Sequence, residues 1–146
     1  MNLARREPLQ SVFFVTGVAA VEMALVLPVL CALSLGLMDL SLALYNKAIL
    51  TNAAREGARA GIVLRNPKPG NAEIQQVVLG YTQGALINPG GGQTPVVTVV
   101  QSVPAAFPNP LRVTVTFSFQ GFAAGALMQL FQTPLILSAS AVMVNE

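Results

Sequence analysis

The sequence predicts an α+β fold in which a long N-terminal helix, first transmembrane and then amphipathic, carries a small three-stranded antiparallel sheet and two shorter helices. Three features point there. An apolar run of membrane length spans Val18 to Met38. Behind it, small and apolar residues recur at helical spacing with no proline until Pro67. Further on, short stretches alternate apolar and polar residues between prolines and glycines.

The 146 residues are 53% hydrophobic and 10% charged, and mean hydropathy is +0.63. That is too apolar for an ordinary soluble domain and too mixed for several membrane spans, so one membrane helix with a small globular part accounts for it. Only Glu22 and Ser34 interrupt Val18 to Met38, a run of about 31 Å at helical rise, enough to cross a bilayer core. A removable secretory signal has a shorter apolar core, of about 7 to 15 residues, so this run is expected to stay with the protein. A carboxylate such as Glu22 near hydrocarbon costs about 2.5 to 3.5 kcal/mol on insertion scales, which calls for a partner or a task. Arg5 and Arg6 precede the run while Lys47, Arg55 and Arg59 follow it, so charge alone does not orient it. The short N-terminal tail favours that end inside and the larger C-terminal part outside.

Past Asp39 the pattern stays helical, predicting one helix from Val18 to Leu64, roughly 70 Å long. Ile49, Ala53, Gly57, Ala60 and Leu64 fall on one face, and Lys47, Thr51, Arg55 and Arg59 on another. Pro28 predicts a kink, because it removes a backbone donor from the helix interior. Ala53, Gly57, Ala60 and Gly61 allow close backbone approach. They suit docking on this chain's own sheet or on a neighbouring subunit's helix, and the pattern leaves both open. Glu56 and Arg59, three residues apart, predict a surface ion pair.

The segment Asn66 to Asn71 contains two prolines and a glycine and ends the helix. Ile74, Val77, Val78, Tyr81 and Ala85 predict a second helix from Ala72 to Leu86. Asn88-Pro89-Gly90-Gly91-Gly92 is a loop with strong turn chemistry. Strands are predicted over Thr94 to Val103, Leu111 to Gln120 and Leu135 to Val144, the second with faultless alternation of Leu111, Val113, Val115, Phe117 and Phe119 against polar neighbours. Between the last two, Phe122, Ala126, Leu127, Leu130 and Phe131 predict a short third helix closed by Thr133-Pro134. The resulting organisation is 18–44 as the transmembrane helix and 45–146 as an extracytoplasmic α+β domain that includes the aqueous half of the long helix.

Composition also excludes function classes. The eight Lys and Arg residues are scattered and the formal charge is only +2, whereas nucleic-acid binding relies on clustered basic groups. Histidine is absent and Cys31 stands alone in the apolar run, so no intrachain disulfide or Cys/His zinc site can form. Glu7, Asp39, Glu56, Glu73 and Glu146 are dispersed singly, and no Ser-His-Asp or Cys-His set exists. The glycine-rich loop lacks a Walker lysine and leads into a strand. No catalytic residue, cofactor or metal is expected.

Two blocks carry a family signal: Gly17-Val18-Ala19-Ala20-Val21-Glu22-Met23-Ala24-Leu25-Val26-Leu27-Pro28, and Asn52-Ala53-Ala54-Arg55-Glu56-Gly57-Ala58-Arg59-Ala60-Gly61. Together with the closing Ser138 to Glu146 they resemble the TadE-like family, the minor pilins or pseudopilins of tight-adherence (Flp-type) pilus systems. The resemblance implies that residues 1–17 are a cytoplasmic leader, cut by a prepilin peptidase between Gly17 and Val18. It also implies that Glu22, fifth in the mature chain, meets the new amine of an adjacent subunit and sets register. The expected partners are the membrane, other pilin or pseudopilin subunits, the prepilin peptidase and the pilus assembly machinery. The expected location is the bacterial inner membrane, single-pass, with incorporation into a surface pilus used in attachment or secretion. Two residues depart from the family pattern: the leader is apolar from Val12 to Val15, and Met23 replaces the usual aromatic. The competing reading is a single-span, membrane-tethered extracytoplasmic module that binds a ligand and has no assembly role.

Overall fold

The computed structural model describes residues 10–122 and 135–145, with side chains from residue 17 onward. In chain order the elements are α1 (Gln10–Ile62), α2 (Asn71–Thr82), β1 (Val96–Gln101), β2 (Pro110–Phe119) and β3 (Leu135–Val144). The long helix, the second helix and the three-stranded antiparallel sheet give the α+β architecture expected from the pattern. The predicted third helix lies, apart from Phe122, outside the described residues.

α1 has 53 residues, about 80 Å at standard rise. It begins at Gln10 rather than Val18, since nothing in residues 10–17 breaks a helix before the apolar run. It passes through Pro28 as one element and ends at Ile62, short of Leu64, which is 78% exposed. The covered stripe of the upper half is Ala43, Asn46, Leu50, Ala53, Ala54, Gly57, Ala58 and Gly61, turned by about one position from the predicted face, with which it shares Ala53 and Gly57. Ile49 and Ala60 sit at its margin, half-buried.

The sheet order is β1-β2-β3, with Val113 opposite Val99 on one side and Ala141 on the other. The alternation of β2 sends Leu111, Val113, Val115, Phe117 and Phe119 to one face, all at most 2% exposed. Val97 and Val99 from β1, and Leu137, Ala139, Ala141 and Met143 from β3, join them under α1 and α2. At roughly 25 cal/mol per Å² of apolar area removed from water, this single face is the main favourable term in the domain's stability.

α2 starts after Gly70, whose carbonyl accepts the Glu73 and Ile74 N–H groups at 3.0 and 3.1 Å. It stops at Thr82, four residues before the predicted end. The backbone turns into the left-handed region at Gly84 (φ +74°), which glycine adopts without steric cost. Ile74, Val78 and Thr82 form its buried side. The expected Glu56–Arg59 pair is not formed. Arg65 instead bonds Glu73 at 2.9 Å, joining the end of α1 to the start of α2.

Candidate functional site: a bare helix and its buried collar

From Gly17 to Met38 every side chain of α1 is exposed, over about 33 Å of helix. This stretch is long and apolar enough to span a membrane, and none of it is covered by the rest of the chain. Ser34 donates its hydroxyl to the Leu30 carbonyl at 2.8 Å, and Ser41 likewise to Leu37. Both hydroxyls are thus satisfied by the helix's own backbone and need no water, as hydrocarbon requires.

Gly17 lies within α1, and a methyl group there would meet nothing within 4 Å. Val18, one residue on, is 60% exposed. Glu22 projects from the bare surface and makes no hydrogen bond or ion pair to any of the described residues. One turn and a half further, Pro28 stands inside the helix, and its missing N–H leaves the Ala24 carbonyl without its usual donor.

Coverage by the domain begins on one side of the helix at Asp39, which is 4% exposed. Its Oδ1 accepts the Phe122 N–H at 2.7 Å. Gly121 lies so close that a methyl group there would collide with the carboxylate, so only glycine lets the chain leaving β2 pass across α1 here. Two turns on, the buried Asn46 makes a reciprocal pair with the Ile87 backbone, accepting its N–H at 3.0 Å and donating to its carbonyl at 2.6 Å. Asn88 next door accepts the Gln120 N–H at 2.7 Å and donates to the Gly91 carbonyl. Gly90 N–H bonds the Gln120 carbonyl at 3.0 Å. The glycine-rich loop thus straps the end of β2, and Asn46 holds that strap on α1.

These three polar residues form a collar where the helix enters the domain, and sequence reasoning missed their role. Asp39 and Asn46 stand seven residues apart, two turns, on one stripe with Leu50 and Ala53. A polar pair on an otherwise apolar stripe was the available signal.

Further up, the small residues are occupied by this chain. Ala53 is fully buried. A methyl on Gly57 would collide with Val78 and sit 3.4 Å from Val113 Cγ1, and one on Gly61 would press into Leu111 and lie 2.7 Å from Ile74 Cδ1. Of the two uses the pattern left open, this face packs against α2 and β2 of the same chain. The predicted site residues therefore divide: Gly17, Val18, Glu22 and Pro28 lie on bare helix, while Ala53, Gly57 and Gly61 lie in the core. A neutral hollow of about 370 Å³ beside the end of α2, bordered by Leu79, Thr82, Leu86 and Pro95, carries no charged side chain.

The family model described as "TadE-like protein" matches residues 17–59, from Gly17 through the bare half of α1 and along its packed stripe. This is the family whose pattern the two N-terminal blocks resemble. No curated protein and no solved structure matches the chain.

Proposed function

We propose, taking the TadE-like segment of residues 17–59 as premise, that this protein is a non-enzymatic minor pilin or pseudopilin that takes part in assembling a tight-adherence (Flp-type) pilus. The observation that carries the proposal is Glu22: a carboxylate on a bare apolar helix, five residues past Gly17, with no partner among the described residues.

A prepilin peptidase cuts between Gly17 and Val18 on the cytoplasmic side and leaves a free amine on Val18. That bond lies in helical backbone, so the first turns of α1 unwind to reach the peptidase. Glycine eases the unwinding, being worse than alanine in a helix by about 1 kcal/mol. Glu22 then pairs with the amine of an adjacent subunit. A subunit seated at the wrong height leaves one charge buried and unpaired, at a cost of about 3 to 5 kcal/mol, which selects correct register. The aliphatic surface from Met23 to Met38 packs against neighbouring helices as subunits leave the lipid.

Asp39 marks the outer membrane boundary within the 18–44 segment, a reading supported by the burial of Asp39 and Ala43 against the domain. The N-terminal tail is cytoplasmic and the domain extracytoplasmic. Attachment or secretion is the end use that the family resemblance supports.

Photo-crosslinkers placed at Leu30 and Leu33 in native membranes test the assembly role, with piliation of the same strain as the second readout. Adducts with other pilin-like subunits, lost in Glu22→Gln, are expected. A solitary helix with normal piliation in the deletion strain would leave a tethered module in place of an assembly subunit.

A further inference from the structure

The two ends of the domain differ in charge. The end remote from the bare helix carries Arg65 and Glu73, in their ion pair, with Lys68 bonded to Asn145, and Arg112 near the start of β2. At the other end, around Asp39, no exposed side chain among the described residues is charged, and several are large and apolar. Phe122, held at the height of Asp39 by its own N–H, is 55% exposed. Leu135 and Ile136, opposite Phe119 and Ser118 at the start of β3, are 36% and 65% exposed. Leu40 and Leu44 continue the apolar surface up α1 at 56% and 62% exposure.

The first charged side chain above Asp39 on α1 is Lys47, about 12 Å further along the axis, and its ammonium bonds the Ser138 carbonyl. A rim rich in apolar side chains, with no exposed charge among the described residues, that continues directly from a membrane-length apolar helix fits lipid better than water, because aromatic and aliphatic side chains at that height enter the boundary between headgroups and acyl chains.

We infer that the base of the domain, Phe122 with Leu135 and Ile136, is a second membrane contact that seats in the headgroup–acyl boundary and fixes the tilt of the helix and its domain relative to the bilayer. The contact rests on the span reading of α1 and is independent of pilus assembly. Asp39 positions it: the buried carboxylate, bonded to the Phe122 N–H, aims that ring at the bilayer.

The chain has no tryptophan, so single tryptophans are clean probes of depth. Full-length Phe122→Trp, Leu30→Trp and Phe107→Trp are reconstituted in phosphatidylcholine vesicles, unlabelled or brominated at shallow or deep acyl positions. Ile136→Trp replaces Phe122→Trp if the latter loses its protease-resistant domain. Leu30→Trp should be quenched most by deep bromines. Phe122→Trp should show blue-shifted emission and lose intensity mainly with shallow bromines, while Phe107→Trp, in the β1–β2 loop at the remote end, should keep its intensity. Quenching of Leu30→Trp with a base tryptophan that behaves like Phe107→Trp overturns the inference alone. An unquenched Leu30→Trp overturns the span reading and the inference with it.

Discussion

The two halves of α1 solve different problems with one uninterrupted helix. Below Asp39, valine, leucine and methionine point in every direction and none is covered. Above it, only one stripe is apolar and covered, and much of that stripe is alanine and glycine because the sheet and α2 close in on it. A helix that is hydrophobic all round with no protein against it belongs in lipid or in a bundle of like helices, whereas a striped one belongs on a folded domain. Side-chain size carries the same lesson. Where the partner is this chain's own core, α1 is trimmed to let backbones approach; where nothing in this chain covers it, leucine, valine and methionine predominate.

The sharpest way to break the contrast is to make the same truncation in each half. Leu50 is fully buried, so Leu50→Ala should destabilise the domain by about 2 to 5 kcal/mol. Leu30→Ala, on bare helix, should leave thermal unfolding of the detergent-extracted chain unchanged. Equal losses would mean that the lower half is also packed within the chain.

A second pair uses glycine. Gly57→Ala pushes a methyl into Val78 and should cost about 1 to 3 kcal/mol, while a methyl on Gly36 meets nothing within 4 Å and should be neutral or slightly stabilising. A tolerated Gly57→Ala in the same unfolding measurement would argue against the close packing of α1 on α2. The collar comes next: Asn46→Ala orphans the Ile87 N–H and carbonyl and should cost about 1 to 3 kcal/mol. Hydrogen exchange should locate the loosening at residues 86–92, and uniform exchange across the domain would contradict a local strap. The smallest effect is expected at Arg65→Ala, because its pair with Glu73 is half exposed and such pairs contribute about 0 to 1 kcal/mol. A larger fall in the unfolding midpoint would show that this pair does more than tether α2.

Much of this fold was legible because single periodicities decide it. The alternation in β2 leaves one choice of buried face, and Leu135 to Val144 was bounded correctly by Pro134 and the polar ending. The start of α1 was not, since residues 10–17 carry no breaker and the start of the apolar run, not helix chemistry, suggested Val18. The covered stripe was predicted about one position off because alanines run across it, with Ala54 and Ala58 inside it and Ala60 at its margin, and blur its apolar edge. The partner of Gly57 and Gly61 was undecidable from sequence, as small residues fit any close neighbour. Asp39, Asn46 and Asn88 were missed for a different reason: each bonds backbone brought from far along the chain, and no local pattern tells where that backbone will lie. Glu22 stood out as the one acidic residue of the apolar run, whereas the processing role of Gly17 and the register role of Glu22 come from the family resemblance.

The most direct test of the pilin reading is the N-terminus of the protein extracted from native membranes, determined by intact mass and N-terminal sequencing. Processing predicts a chain that begins at Val18 and lacks residues 1–17, with the unprocessed form accumulating when the prepilin peptidase is deleted. A mature chain that retains residues 1–17 in cells with active peptidase would contradict it, leaving Glu22 without the amine on which its proposed role depends.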